Sequence, residues 1–562
     1  QIEAPHRPAL DASTAELRRQ AGLTPESPSY VIGRDGVARI ELAPTTASGR
    51  VNLSFALAGR HTKELHPWLE AEAREWVLVG LTGGTLLHSS ISEHTESLVP
   101  SDVEDGYDLD RGTTVFAKGR IKGSWLLTAA YDSQRESNES SGDLDRAALE
   151  GGLDPNRYYT LYGDATTQGF EAPSQRKLYL KLERKQFYAL FGDFQTGLTV
   201  TELSRYSRAM NGFHSEYDGD HVSLNTFGTD TSQAFVRDQI RGDGTSGLYR
   251  LSRSGIVLNS ERISIEVRDR FHGEQVISTE QQARWTDYNI DYTSGTIFFK
   301  RPIPSTAEGF TPVYIVAEYE SDDDSDKELS GGGRAAVKLL DDSVELGTSL
   351  IHEGTVGQRS SLYGTDLRVD LDPVTSLRGE YAQTRSSLLD SGADANGGAW
   401  LAELSRRDKD LDSRVYWREQ RPGFGLGQQS ASETNMQQLG MDARYYLSDT
   451  LQLSGEVFRQ VDVASDARRD LFEARVDHRE GPIGGYGGLR WAHDVFSDGT
   501  DSSSPQLLGG GSYTTYQNRL ELRADTEITL SGDESLDFPT RFLVGADFAL
   551  LPELTVFGEE EF

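Results

Sequence analysis

Residues 518–530 read NRLELRADTEITL, and from Arg519 to Glu527 every second side chain is charged. An alternation with period two predicts a β-strand, because successive side chains of a strand point to opposite faces. One face carries Arg519, Glu521, Arg523, Asp525 and Glu527. The other face carries Leu520, Leu522, Ala524 and Ile528. Such a strand lies either in a soluble β-sandwich or in a wall between lipid and water.

The composition is that of an all-β protein with many turns. The 562 residues include 57 Gly, 23 Tyr and 22 Phe, but 3 Met and no Cys, which excludes disulfides and thiolate metal sites. The sequence contains no run of about 18 apolar residues, so no transmembrane helix is predicted. The formal charge of −33 argues against a nucleic-acid partner, because phosphate binding requires a basic surface.

Strand-like segments follow one another from Gly331 onward, and each has the length of about ten residues with which a tilted strand crosses a bilayer. We count about fourteen of them. In LQLSGEV the apolar face carries Leu451, Leu453 and Val457. In LFEARVDH the charged face carries Glu473, Arg475 and Asp477. The two-faced pattern of residues 518–530 therefore recurs through the second half of the chain.

The links between these segments alternate in length. Short turns are predicted at residues 341–342, 372–373, 409–410, 448–449, 481–482 and 552. Long polar links are predicted at residues 352–360, 384–397, 420–435, 461–469, 495–505 and 531–539. This alternation is typical of an up-and-down barrel with tight periplasmic turns and long outer loops. The alternative, a soluble sandwich of about seven strands per domain, does not require it.

The same pattern is present between about residues 75 and 228, where we count about seven more strands. The total of about 21 lies within the range of about 8 to 26 strands known for bacterial barrels. In such a barrel the predicted lipid-facing residues are Leu520, Leu522, Ala524, Ile528, Leu451, Leu453 and Val457. The predicted lumen-facing residues are Arg519, Glu521, Arg523, Asp525, Glu527, Glu473, Arg475 and Asp477.

The strand series is interrupted at residues 233–322, where several short strands and the turn sequence DYTSG follow one another closely. We predict a small β-sandwich, inserted into the barrel as a plug or cap. The alternative is a large surface loop with local structure. The predicted domains are 1–74, a partial N-terminal periplasmic β domain and connector; 75–232, the first barrel strands; 233–322, the insert; and 323–562, the remaining barrel strands.

The two ends of the chain lead to further expectations. Residues 1–74 contain two predicted strands, in SYVIGRDGVARIEL and GRVNLSFAL, before a more helical segment, HTKELHPWLEAEAREW. The last segment, LTVFGEEEF, ends in Phe562 as barrels commonly do, but Gly558 and Glu560 stand where apolar residues are expected. Together with an odd strand count, this predicts one or more strands beyond residue 562.

No motif for catalysis or for an organic cofactor is present, and the 11 His residues are dispersed, so we predict a protein that is not an enzyme. Gly423, Gly425 and Gly427 follow a Pro in a polar link, where a nucleotide-binding loop is not expected. The acidic run SDDDSDKE offers a Ca²⁺ candidate at Asp322, Asp323, Asp324 and Asp326. It lacks the EF-hand spacing, and a solvated acidic hinge is the alternative.

Two segments resemble large proteobacterial outer-membrane proteins: DYNIDYTSGTIFFKRPIP (287–304) and FYALFGDFQTGLTVTELSRYSRAMNG (187–212). The first also resembles the giant translocon barrels of Bacteroidetes secretion. The order of parts, a β domain, several strands, an inserted β-sandwich and the remaining strands, is similar to that of the fimbrial ushers, whose barrel carries a plug domain. The resemblance implies a bacterial outer-membrane barrel, and no functional residue is carried over from it.

The predicted fold is all-β: a large antiparallel up-and-down transmembrane barrel of about 20 or more strands, with the inserted sandwich and an N-terminal β-domain fragment. The predicted function is an outer-membrane channel or translocon with a gating plug, for export or uptake of a large substrate. The expected partners are outer-membrane lipids and lipopolysaccharide, the barrel-assembly machinery, a translocated polypeptide and accessory envelope proteins. The alternatives are a barrel-anchored adhesin, whose long loops or insert bind a ligand, and a soluble glycan-binding or glycan-cleaving protein.

Overall fold

The computed structural model describes residues 49–50, 53–57, 61–65, 68–69, 76–89, 106–121, 124–133, 159–160, 170–172, 177–231, 233–257, 260–273, 276–307, 310–322, 328–355, 358–388, 394–429, 434–516, 519–531, 537–551 and 554–562. These residues form thirty-five strands and no α-helix. No helix within them therefore has the length and apolarity that crossing a membrane requires.

The strands that precede the insert are β1 (Gly49–Arg50), β2 (Leu53–Leu57), β3 (His61–Leu65), β4 (Trp68–Leu69), β5 (Val77–Ser89), β6 (Gly106–Ile121), β7 (Trp125–Asp132), β8 (Tyr159–Thr160), β9 (Phe170–Ala172), β10 (Leu178–Arg184), β11 (Phe187–Gln195), β12 (Ala209–Asp218) and β13 (Val222–Thr231). The strands of the insert are β14 (Gln233–Arg241), β15 (Tyr249–Arg250), β16 (Arg262–Arg268), β17 (Val276–Gln281), β18 (Tyr288–Asp291), β19 (Thr296–Phe299), β20 (Thr306–Ala307) and β21 (Thr311–Asp322).

The strands that follow the insert are β22 (Glu328–Leu339), β23 (Val344–Thr355), β24 (Gln358–Asp372), β25 (Thr375–Leu388), β26 (Asp394–Arg407), β27 (Leu411–Gln420), β28 (Met436–Tyr446), β29 (Leu451–Asp462), β30 (Arg468–Glu480), β31 (Ile483–Val495), β32 (Asp501–Thr515), β33 (Leu520–Thr529), β34 (Arg541–Leu551) and β35 (Leu554–Glu561).

Twenty-one of these strands form one sheet, whose order closes into a barrel: β5 to β7, then β10 to β13, then β22 to β35. The twenty neighbouring pairs with a defined register are all antiparallel. The predicted seven and fourteen strands are therefore confirmed. Twenty antiparallel steps also mean that β5 and β35 run in the same direction.

Strand β33 shows the two faces that its sequence predicts. Asp525 and Glu527 are buried on the inner face, whereas Leu522 on the outer face is 42% exposed. Of the other residues predicted to face lipid, Ala524, Leu453 and Val457 are exposed, and Leu520, Ile528 and Leu451 are half-buried.

A belt of apolar side chains surrounds the outside of the barrel. Each strand from β23 to β34 exposes at least one large apolar residue: Leu346, Tyr363, Leu377, Trp400, Val415, Met441, Val457, Phe472, Leu489, Leu507, Leu522 and Val544. A continuous apolar surface of this size is not stable in water and marks a surface that contacts lipid. The barrel therefore spans a membrane.

Polar pairs and aromatic residues mark the edge of this belt. On the outer face Arg459 pairs with Asp470 at 2.5 Å, two residues beyond Val457 and Phe472 toward the long-loop side. Trp400 and Trp491, near the same ends of their strands, are exposed, as interfacial aromatic residues are. Tyr446, near a short turn, differs because it is buried and faces the lumen.

The outer links are shorter than the sequence predicts. Residues 356–357 alone separate β23 from β24, and residues 463–467 separate β29 from β30. The polar ends of these strands continue to pair with their neighbours. Hydrogen bonds between strands satisfy the backbone N–H and C=O groups equally well as hydrogen bonds to water do. Residues 421–435 and 530–540 remain long links.

Residues 233–322 form two small sheets, both separate from the barrel sheet. One has the order β14-β21-β16-β17, with β20 paired to β21, and the other has the order β15-β19-β18. A shared apolar core includes Ile256, Ile263, Ile297 and Ile315. In the β18–β19 hairpin the Asp291 carboxylate accepts hydrogen bonds from the next turn, which ends at Gly295 with φ of 65°. We call residues 233–322 the insert.

Upstream of the barrel, β2 pairs with β3, and β1 pairs with β4. The expectation of a more helical segment here is wrong at His61–Leu65 and Trp68–Leu69, which are strands, while residues 66–67 and 70–75 of that segment lie outside the described residues. Pairing with Leu53–Leu57 satisfies this backbone and overrides local helix propensity. Residues 1–48, which hold most of the predicted N-terminal domain, lie outside the described residues.

The belt makes a prediction about strand β29. Val457→Arg places a charge among exposed apolar neighbours, and we expect it to lower the free energy of unfolding by about 2–4 kcal/mol. Val461→Arg, on the same face but beyond Arg459, should cost at most about 1 kcal/mol. Urea titration of the barrel folded in lipid vesicles measures both values, and equal costs would contradict the assigned belt.

Candidate functional site

Ion pairs line the inward face of the barrel. Arg334 of β22 pairs with Asp366 of β24 at 2.5 Å, across Gly347, which leaves room for both side chains. Arg414 of β27 pairs with Asp442 of β28 at 2.8 Å. Opposite charges at this distance offset part of the cost of removing each charge from water. The lining is therefore highly charged but largely neutralised by pairing.

Glu527 has the most partners among the predicted lumen residues. Its carboxylate accepts hydrogen bonds from Arg490 at 2.7 Å, Arg270 at 2.7 Å and Arg541 at 2.8 Å. Arg490 and Arg541 lie on strands β31 and β34, and Arg270 belongs to the insert. Arg490 also donates to Glu473 at 2.8 Å. The structure thus brings Glu527 and Glu473 together through one guanidinium.

The other predicted lumen residues are divided between paired and exposed positions. Arg523 pairs with Glu559 at 2.6 Å, and Asp525 accepts a hydrogen bond from the Tyr486 hydroxyl at 2.7 Å. The remaining four are Arg475 and Asp477, which pair with each other, and Arg519 and Glu521, which are exposed.

The insert contacts the inward face of the barrel, as the pair of Arg270 and Glu527 shows. Glu527 alternates along β33 with outward-facing residues, so a side chain that reaches it from the insert must come from within the barrel. Insert residues also contact inward-facing residues of β27, β29, β31 and β34. Part of the insert therefore lies in the lumen.

Aromatic and arginine side chains pack at this contact. The Phe271 ring of the insert lies 5.6 Å from that of Phe538 and 6.5 Å from that of Phe458. The Arg490 guanidinium lies 4.9 Å from the centre of the Phe271 ring, and that of Arg541 lies 3.7 Å from Phe310 of the insert. Cation–π contacts of this kind are stronger where water is excluded.

His272 of the insert is the next residue in this contact and is 1% exposed. Its Nε2 atom contacts the Glu456 carboxylate of β29 and lies 3.3 Å from the Tyr416 hydroxyl of β27. The His272 ring also packs edge-on against Phe458. We call Arg270, Phe271, His272 and their barrel partners the far contact. They lie across the lumen from the place where the two ends of the insert join the barrel strands β13 and β22.

A second part of the lumen is occupied by residues 196–208, which link β11 to β12 and fold inward. Arg208 is 1% exposed and donates two hydrogen bonds to Glu320 of β21, at 3.0 and 2.5 Å. It also donates to Glu353 of the barrel strand β23 at 2.5 Å and to the Gln233 carbonyl at 2.9 Å. Tyr206 donates to Glu353 at 3.1 Å. We call this cluster the anchor. It joins β14 and β21, the first and last strands of the insert, to the barrel strand β23.

The charge state of the anchor follows from its surroundings. Burial alone would lower the pKa of Arg208, but Glu320, Tyr206 and Glu353 raise it well above its ordinary value. Burial raises the pKa of Glu320, which Arg208 opposes and the like charge of Glu353 increases. Arg208 is therefore a permanent cation that two buried carboxylates share.

The inward-folded link 421–429 completes the attachment. Gln428 accepts a hydrogen bond from Ser207 N at 2.6 Å, and its carbonyl accepts one from Arg237 of the insert at 2.9 Å. Gly425 and Gly427 have positive φ angles, which allow the chain to turn so that Phe424 and Leu426 are buried. These glycines serve the packing of the link, in agreement with their interpretation as loop glycines.

The insert leaves one side of the lumen open. A cavity of about 940 Å³ lies between the insert and the inward faces of strands β28 to β35. It includes residues 448–450 of the β28–β29 turn, so it lies toward the short-turn end of the barrel.

The Ca²⁺ candidate at residues 322–326 lies outside what the structure describes: residues 323–327 are not described, nor is the Asp322 side chain. Within the described residues, no group of three or more His, Asp or Glu side chains is arranged to hold a metal ion.

The sequence did not reveal Arg208, Arg270 or His272 as site residues. Arg208 does lie in the segment 187–212 that resembles outer-membrane proteins, and Arg270 to His272 directly follow a predicted strand of the insert. No periodic pattern identifies these residues, because each contacts a partner more than a hundred positions away.

Comparison with known proteins gives structural matches only. No protein-family model and no curated protein sequence matches the chain. The P pilus usher (PapC) translocation pore matches with 11% identity and a TM-score of 0.32, over 87% of this chain and 97% of the usher chain. Pseudomonas aeruginosa OpdQ matches with 9% identity and a TM-score of 0.29, over 76% and 93%.

A BenF-like porin from Pseudomonas fluorescens Pf-5 matches with 10% identity and a TM-score of 0.27, over 81% of this chain and 98% of the porin. TM-scores this low do not establish a common fold. The barrel itself, with its apolar belt and polar lumen, is of the type found in bacterial outer membranes. We therefore place the protein in a bacterial outer membrane.

The anchor makes a testable prediction. Arg208→Met removes the cation and leaves Glu320 and Glu353 buried, which should lower the free energy of opening of the insert by about 3–5 kcal/mol. Arg205→Met is the matched control, because its side chain is 41% exposed and 3.9 Å from Glu318, and should cost at most about 1 kcal/mol. Amide hydrogen exchange in β14 and β21 measures both; equal protection in the two variants would disprove the anchor.

Proposed function

We propose that the protein is an outer-membrane channel in which the insert is a plug, displaced when a large substrate passes in export or uptake. The observation that carries this proposal is the double attachment of the insert inside the lumen. It is joined to β23 through Arg208 and to β33 through Glu527, so it reaches from one part of the wall to another.

The width of the barrel supports a plug. Barrels of about 16–18 strands leave an aqueous channel, and barrels of about 22 strands have a plugged lumen. With 21 strands, this barrel would conduct freely if the insert and residues 196–208 did not occupy it. The insert is by far the larger of the two segments, so removing it alone should create a wide pore rather than a collapsed barrel.

The two attachments differ in a way that suggests how the plug moves. At the anchor, Arg208 and Glu320 are both buried, and the chain itself ties the insert to β13 and β22. At the far contact, Glu456 keeps 21% of its side chain exposed, and the open cavity lies along the same strands. We infer that the far contact releases first, while the anchor acts as the hinge.

Crosslinking tests this mechanism, because the chain has no Cys and any introduced thiol is unique. In a His272→Cys/Glu456→Cys variant, a cleavable bis-methanethiosulfonate joins the insert to the wall. In planar lipid bilayers we expect large-conductance openings to disappear on crosslinking and to return on reduction. Replacing residues 233–322 with a flexible linker should leave the large conductance permanently open.

The matched control is Glu456→Cys/Glu473→Cys, which joins two paired wall positions and leaves the insert free, so its openings should persist. Large openings that survive the crosslink from insert to wall would contradict the plug. A barrel that still conducts nothing after deletion of the insert would instead favour the adhesin alternative, with the barrel as an anchor.

A further inference from the structure

The cavity beside strands β28 to β35 has two walls of different charge. On the side of β28 to β30 it is lined by Arg444, Arg475 and Arg479. Register places Arg444 of β28 and Arg475 of β30 on either side of Ser454 of β29, so these two strands present their guanidinium groups to one space. Arg475 pairs with Asp477 at 2.5 Å and stacks on the Tyr486 ring.

Arg444 and Arg479 differ from the paired arginines of the lumen. Among the residues that the structure describes, neither side chain has an ion-pair or hydrogen-bond partner, and both residues are exposed to the cavity. Arginines elsewhere on the inward face, such as Arg334 and Arg414, are paired. These two guanidinium groups are therefore available to an anion from solution.

The opposite wall, on β33 to β35, is acidic. Four carboxylates line it, those of Glu521, Asp525, Asp547 and Glu559, against the single cation Arg523. Arg523 pairs with Asp547 and Glu559. This wall therefore carries an excess of negative charge that faces the cavity.

Between the two walls the cavity lining is uncharged. Strands β31 and β32 contribute Gly484, Gly485, Tyr486, Gly511 and Ser512 to it. Arg475 stacks on the Tyr486 ring, and the Tyr486 hydroxyl donates to Asp525, so this neutral side chain reaches from the arginine wall to the acidic wall. A solute that lies over these residues is exposed to both charges at once.

We propose that this cavity binds a bipolar oligopeptide in extended form. Its carboxylates contact Arg444 and Arg479, and its ammonium groups face Glu521 and the other carboxylates of β33 to β35. A single amino acid is too short, because neighbouring strands are about 4.8 Å apart and four such steps, about 19 Å, separate β30 from β34. An extended peptide of roughly five residues, at about 3.3–3.6 Å per residue, spans that distance.

The site does not depend on movement of the plug. The cavity exists while the insert is seated, and Gly244 and Pro302 of the insert form part of its lining. Failure of the gating experiment would therefore leave the binding site in place. Conversely, a peptide that fails to bind would leave the plug mechanism untouched.

The pentapeptide KAAAE with free termini is the probe, because it carries positive charge at one end and negative charge at the other. Its affinity for the full-length chain in detergent is measured by isothermal titration calorimetry. The comparison peptide is AKEAA with both termini blocked, which has the same side chains but adjacent charges. We expect KAAAE to bind, the comparison peptide not to bind, and added salt to weaken binding.

The Arg444→Gln/Arg479→Gln variant should weaken KAAAE binding by about tenfold or more, since hydrogen bonds to charged groups are the stronger kind. Arg368→Gln, whose arginine pairs with Asp370 away from the cavity, is the matched control and should bind as the unaltered chain does. Equal binding of KAAAE and the comparison peptide to the unaltered chain overturns the proposal. Unchanged affinity in the folded double variant overturns it as well.

Discussion

A barrel of 21 strands is too wide for inward-facing side chains to meet across the lumen, and the rest of the structure depends on this constraint. Small barrels fill themselves with their own side chains. Here, residues 196–208, the insert and residues 421–429 occupy the lumen instead. Each enters from the long-loop side, so the short-turn end keeps an open cavity.

Placing protein inside a charged lumen requires that the covered charges find partners. Glu527 is surrounded by Arg270, Arg490 and Arg541, and Arg208 is shared by Glu320 and Glu353. Buried ion pairs add little net stability, but breaking one is costly because it leaves an unpaired buried charge. We infer that these contacts fix one seated position of the insert. Where nothing covers the wall, Arg444 and Arg479 remain unpaired within the described residues.

The sequence predicts the wall of the barrel well and its contents poorly. Alternation along β33 is a local property, so Leu522 and Asp525 could be assigned to opposite faces without knowledge of any partner. The partner of Glu527 could not be predicted, because Arg270 lies 257 positions away and the period-two pattern shows only that Glu527 points inward. The predicted strand ends differ from the observed ones for a related reason. Polarity marks the end of the apolar belt, but backbone pairing continues beyond it to residue 355.

An electron cryo-microscopy map of the full chain in a lipid nanodisc tests the central claim most directly, namely that the insert is seated inside a membrane-spanning barrel. The structure predicts continuous density for residues 233–322 within the wall, contacting Arg208, which pairs with Glu353 of β23, and Glu527 of β33, with an open space beside β28 to β35. An empty lumen, with the insert outside the barrel or averaged out of the map, would contradict it.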